Sequence, residues 1–136
     1  IDGAHLAKDL NALGLAGMRA RPLTFRPTFH KHAGQICGGV QIHVTDPIAF
    51  RPFATYLALI TLAHHQSPGK FNFRTEKYEY VDDIPAFDLL TGDAEARTMI
   101  ASGESPMDVV RAIAPVGRLE NEIHTQAIDA ARRRRV

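Results

Sequence analysis

His30 and His32 stand two positions apart, and Cys37 and His43 follow in the same short stretch. On an extended segment that spacing places both imidazoles on one face, and a nearby thiol makes zinc the first chemistry to weigh. The spacing matches none of the standard cysteine and histidine patterns, so no metal is assigned and Cys37 is read as a small buried residue. Glu76, Glu79, Asp82 and Asp83 supply carboxylates of the kind that acid–base chemistry needs in pairs. Their strongly polar setting reads as a solvated loop. Asp88 differs, because it sits between Phe87 and Leu89. Burial there would oblige it to find a partner, so it either orients another side chain or caps the turn to Gly92. Phe25, Phe29, Tyr78 and Tyr80 have strand spacing, which is core packing more often than a stacking surface. Phe29, beside the histidines, is the one kept as a candidate for ring stacking. No Gly-x-Ser-x-Gly elbow is present, and Gly38-Gly39 lacks the longer pattern and lysine of a phosphate loop.

These residues must be held by regular elements. Asp2 is an N-cap for a helix whose Leu6, Leu10 and Leu13 form one stripe, with Gly14 or Gly17 to end it. From Met18 to Phe29 the pattern is extended, and Pro22 and Pro27 each remove a ladder donor, which points to an edge or bulged strand. Cys37 to Asp46 alternates cleanly: Val40, Ile42 and Val44 on one parity, Gln41, His43 and Thr45 on the other. That is a strand buried on one face with a polar face left free. Gly38 and Gly39 permit a bulge, or close approach by a ligand or a neighbouring backbone. A main helix from about Pro52 to His65 is apolar around most of its circumference and is read as the central, buried one. Ser67, Pro68 and Gly69 make a turn, Phe71 and Phe73 a short strand, and Tyr78 and Tyr80 repeat its alternation. Asp93 caps a helix that stops near Gly103. Ser105 and Pro106 open another, closed by Pro115, and Leu119, Ile123, Ala127 and Ala130 trace a last one. The result is a single α+β domain over residues 1–136: a small mixed or antiparallel sheet packed with several helices.

The bulk properties agree. With 136 residues, 45% of them hydrophobic and 23% charged, the chain is a globular domain that packing alone can stabilise. A formal charge of +1 gives no argument for nucleic acid or an anionic membrane surface as partner, and Arg132 to Arg135 read as a solvated terminus. One cysteine permits no intrachain disulfide. No stretch has the apolar length of a membrane span. The start at Ile1, without Met, reads as a cut within a longer protein.

Two stretches carry a family resemblance: Thr-Phe-Arg-Pro-Thr-Phe-His-Lys-His from Thr24 to His32, and Cys-Gly-Gly-Val-Gln-Ile-His-Val-Thr-Asp from Cys37 to Asp46. With Leu10-Asn11, Phe50-Arg51-Pro52 and Phe87 to Gly92 they resemble the carboxy-terminal region of NamZ-type exo-β-N-acetylmuramidases, formerly a family of unknown function. Ala16 departs from the family's usual proline, and the Arg-Arg-Arg-Arg-Val end lacks its aromatic finish. The resemblance implies a bacterial hydrolase of cell-wall degradation or recycling, periplasmic or exported, that frees N-acetylmuramic acid from non-reducing ends of peptidoglycan fragments without a cofactor. It further implies that an amino-terminal Rossmann-like domain carries the principal acid and base across a cleft. That leaves no catalytic residue in this chain, which alone would be inactive.

On that implication the loop from Phe29 to Gly39 lines the sugar cleft. Phe29, His30, His32, Gly38, Gln41, His43 and Asp88 are the substrate-binding candidates, Asp88 by orienting a cleft residue. His43 is open between ligand contact and hydrogen bonding on a strand face. The alternative function is a non-catalytic module that binds cell-wall glycans or a partner domain through an exposed apolar face.

Overall fold

In the computed structural model, residues 1–76, 81, 83–114, 126 and 133 are described. Glu79, Asp82, Tyr78, Tyr80, Pro115 and the stripe from Leu119 to Ala130 lie outside them. Helix α1 (Gly3–Ala12) is followed by strands β1 (Met18–Phe25) and β2 (Cys37–Val44), then helices α2 (Pro52–Gln66), α3 (Ala86–Thr91), α4 (Glu95–Ala101) and α5 (Pro106–Ile113). The α+β class holds, with a two-stranded antiparallel sheet.

Helix α1 begins where the Asp2 carboxylate accepts from the backbone N–H groups of Ala4 and His5, at 2.9 and 3.0 Å. That satisfies two of the donors a helix start leaves open. Leu6, Ala7 and Leu10 are buried along its inner face. The register of the ribbon pairs Met18 with Val44, Ala20 with Ile42 and Pro22 with Val40 on this inner side. Both strands are edges, so Pro22 is tolerated without its N–H.

A side-chain bridge joins α1 to the ribbon. Asn11 donates from Nδ2 to the Ala20 carbonyl and accepts the Ala20 N–H on Oδ1, both at 2.9 Å. The amide thus serves Ala20 as a neighbouring strand would, on the edge of β1 that β2 does not occupy.

Helix α2 packs against α1, α4 and α5 and is the centre of the domain. Ala54, Leu57 and Ala58 are buried on it, as are Thr55 and Thr61, whose hydroxyls donate to the carbonyls of Arg51 and Leu57, both at 2.8 Å. Its apolar circumference is not buried throughout: Phe53 is 45% and Tyr56 52% exposed. That flank and Leu90 of α3 border an apolar groove of about 340 Å³.

Phe71 and Phe73 form no strand. With His64 and Phe87 they make a chain of tilted and edge-on rings, centroids 4.9 to 5.5 Å apart, so their alternation reflects ring packing rather than sheet pairing. Asp88 lies within the short helix α3, which Gly92 ends at φ 99°. Ser105 caps α5, accepting from the Asp108 N–H.

Candidate functional site

The β1–β2 hairpin positions most of the candidates. Cross-strand partners share a face in an antiparallel pair, so the side opposite the core carries Arg19 with His43, Arg21 with Gln41, Leu23 with Gly39 and Phe25 with Cys37. Gln41 and His43 are exposed there, as their alternation predicted. Arg21 donates from Nη2 to Gln41 Oε1 at 2.6 Å, which orients the amide so that its NH2 group remains for a ligand. Leu23 and Phe25 lie on this outward face too, while the core side of β1 is supplied by Met18 and Ala20. Hydrophobicity therefore misidentifies the buried parity of β1.

The strand stops at Phe25, and the loop to Cys37 is not extended. Gly34 donates its N–H to the Pro27 carbonyl at 2.8 Å, closing the loop on itself. His30 and His32 have φ of 60° and 63°, the left-handed region that residues with a Cβ enter at a cost. The two histidines thus belong to a tight turn, and the one-face relation of an extended segment does not apply. Phe29 is 71% exposed and meets His30 edge-on, ring centroids 5.0 Å apart.

A cavity of about 580 Å³ opens between this loop, the start of α1 and the turn after α2. Phe25, Lys31, His32, Cys37, Gly38 and Lys70 are among its lining residues. Next to Ile1, Gln66 accepts the Asp2 N–H at 3.1 Å and donates to the Asp2 carbonyl at 3.2 Å, tying the end of α2 to the start of α1. The Asp2 carboxyl is held below its ordinary pKa, first by the His5 backbone N–H, with partial desolvation opposing and Ala4 N–H and the His5 ring assisting.

Gly38 borders the cavity, but its lack of a side chain answers to backbone. A Cβ there would strike the Ile1 carbonyl oxygen and come within 3.2 Å of Gly3 N, and a Cβ on Gly3 would strike the Gly39 carbonyl oxygen. Of the roles open to the glycine pair, close approach of a neighbouring backbone is seen at Gly38, where α1 meets β2. Cys37 is half-buried rather than buried, its Sγ 3.9 Å from the Gln35 carbonyl. Among the described residues no three of His, Cys, Asp and Glu converge as a metal site would require.

Asp88 is in a different place. It is 5% exposed, and both its oxygens are taken by Arg97, Nε at 2.7 Å and Nη2 at 2.8 Å. This pair locks α3 to α4, and the Asp88 hydrogen bond pushes the Arg97 pKa further up against partial desolvation. Asp88 borders neither the hairpin cavity nor the apolar groove. Glu76 is exposed and paired with Arg74 at 3.4 Å, and Asp83 is exposed, in keeping with a solvated carboxylate cluster.

Lys31 and Lys70 were missed from sequence. Lys31 had the signal of standing between the two histidines, whereas Lys70 arrives from a turn distant in the chain and had none.

Residues 1–118 match the family model described as "Exo-beta-N-acetylmuramidase NamZ, C-terminal". The chain belongs to this family. Over 110 residues it is 36% identical to the peptidoglycan β-N-acetylmuramidase NamZ of Bacillus subtilis (strain 168), a match that takes in 81% of this chain and 25% of that protein. The chain thus spans about a quarter of the length of this curated relative. A crystal structure of a DUF1343 family protein from Bacteroides fragilis aligns over 98% of this chain and 31% of that one, with a TM-score of 0.49 and 18% identity. Among the described residues no helix is long and apolar enough to cross a membrane.

Proposed function

We propose that this domain forms one wall of the substrate cleft of a peptidoglycan glycoside hydrolase that releases N-acetylmuramic acid from non-reducing glycan ends. The observation that carries the reading is the family match over residues 1–118, which includes the hairpin with its outward Gln41 and His43 and the cavity at its loop. Hydrolysis of a glycosidic bond needs one carboxyl to protonate the leaving oxygen and a second to act as nucleophile or base, about 5 to 9.5 Å apart. Three of the described carboxylates are already engaged. Asp88 is consumed by Arg97, Asp2 by its own helix, and Glu76 by Arg74 in solvent. As the family resemblance implies, acid and base are assigned to an amino-terminal Rossmann-like domain, and this chain contributes binding.

Within that division, the Gln41 amide and the His43 imidazole are the groups that hydrogen-bond sugar hydroxyl or acetamido oxygens, and His32 does so from the loop. Phe29 offers an exposed ring face for stacking at the rim. The test is release of N-acetylmuramic acid, or of the leaving group of a chromogenic muramic-acid glycoside, by the full-length protein, its His43→Ala variant and this domain alone. Activity confined to the two-domain protein, reduced about tenfold or more in a folded His43→Ala variant, is the expected result. An inactive full-length protein would instead favour a non-catalytic glycan-binding or domain-interaction module, the reading to which the apolar groove beside Phe53 and Tyr56 lends itself.

A further inference from the structure

The hairpin cavity is lined by two lysines. Lys31 comes from the loop and Lys70 from the turn after α2, where its backbone N–H donates to the Ser67 carbonyl at 3.0 Å. No carboxylate is among the described residues that line it. The nearest acid in sequence to that lining is Asp2, whose oxygens are occupied by the Ala4 and His5 N–H groups and the His5 ring. Lys31 also borders a neighbouring cavity, where Glu76 is paired with Arg74. The lining of the hairpin cavity also holds Phe25 and an Ile36 that is 71% exposed. At about 580 Å³ the space is in the range of pockets that take a small organic ligand.

Two cations and an aromatic ring lining one cavity match an anion borne on a ring. We propose that Lys31 and Lys70 bind the carboxylate of the lactyl ether of a muramic acid residue, and so determine its selection over N-acetylglucosamine. This rests on the hydrolase reading above and adds specificity to it. The two sugars share the pyranose and the acetamido group, and only muramic acid carries the 3-O-lactyl group. A site that discriminates between them must therefore read that group, by shape or by charge. Lysine is suited to the second, being a mobile point charge with three donors. Phe25 meets the sugar's apolar face, its Cε1 packed over Gly39, where a Cβ would come within 3.4 Å of it.

The experiment measures kcat and KM of the full-length protein and its Lys31→Gln, Lys70→Gln and doubly substituted variants on a chromogenic N-acetylmuramic acid glycoside. The lactyl methyl ester of the same glycoside and the N-acetylglucosamine glycoside serve as comparisons. Expected is a rise in KM of about tenfold or more for the acid in the double variant, little change on the ester, and a wild-type preference for acid over ester that shrinks at high salt. Equal losses on acid and ester, or an unchanged preference in the double variant of an active enzyme, overturn the lysine assignment and leave the hydrolase reading standing. A wild type that hydrolyses none of the three overturns both. Thermal melts of the variants, expected to match the wild type because both lysines are exposed, separate lost binding from lost folding.

Discussion

Asn11 offers the sharpest test of how the hairpin is held. Its side chain makes two hydrogen bonds of 2.9 Å to the backbone of Ala20, a residue only 5% exposed. Truncation in Asn11→Ala removes both and leaves a largely buried N–H and C=O without partners. Each such loss costs about 1 to 3 kcal/mol. Asn11 is itself half-buried, so some water can replace it, and a total of about 2 to 4 kcal/mol is expected. That corresponds to a fall in Tm on the order of 10 °C for a domain of this size. Asn11→Asp is a stricter variant: it keeps an acceptor for the Ala20 N–H but turns a second oxygen toward the Ala20 carbonyl, and at neutral pH it should lose at least as much. Urea unfolding at constant m-value gives the energies, and amide exchange at Ala20 gives the location. A cost below about 0.5 kcal/mol for Asn11→Ala, or an aspartate tolerated at neutral pH, would refute the argument that this amide acts as a strand partner.

Two further predictions concern the start of α1. Gly38→Ala should destabilise the domain by about 1 to 3 kcal/mol, because the new methyl meets main chain of Ile1 and Gly3 rather than a yielding side chain; the urea midpoint checks it, and a neutral result would return Gly38 to a ligand-contact role. Asp2 has its pKa lowered from an ordinary 3.8, so the folded state binds its proton more weakly than the unfolded chain does. Its contribution is then fully present above the ordinary value and lost as pH falls through the lowered one. Wild type should show a component of acid destabilisation in that window which Asp2→Asn lacks, read by urea midpoints between neutral pH and the acid limit of folding.

The parts of this protein set by local chemistry were legible in its sequence. Asp2 and Ser105 are caps because a short acceptor side chain before an amphipathic run satisfies helix donors wherever the run packs. The alternation from Val40 to Val44 specified which face of β2 holds Gln41 and His43, since a strand's side chains alternate whatever covers them. The stretches between Thr24 and Asp46, with their supporting matches, carried the family resemblance that the match over residues 1–118 bears out.

What depends on distant partners was decided only by tertiary structure. Asp88 had to be paired, but Arg97 as the partner, away from the hairpin cavity, follows from how α3 meets α4. Gly38 and Gly3 are both glycine because two backbones cross there, a fact about neither segment alone. The buried face of β1 went to Met18 and Ala20 because α1 and Asn11 dock on that side, although Leu23 and Phe25 are the larger hydrophobes. Lys31 and Lys70, nearly forty positions apart in the chain, share a cavity because α2 runs back to the start of α1 beside the hairpin loop. Sequence carries each residue's chemical capacity, and only the packing of elements decides which capacities face the same space.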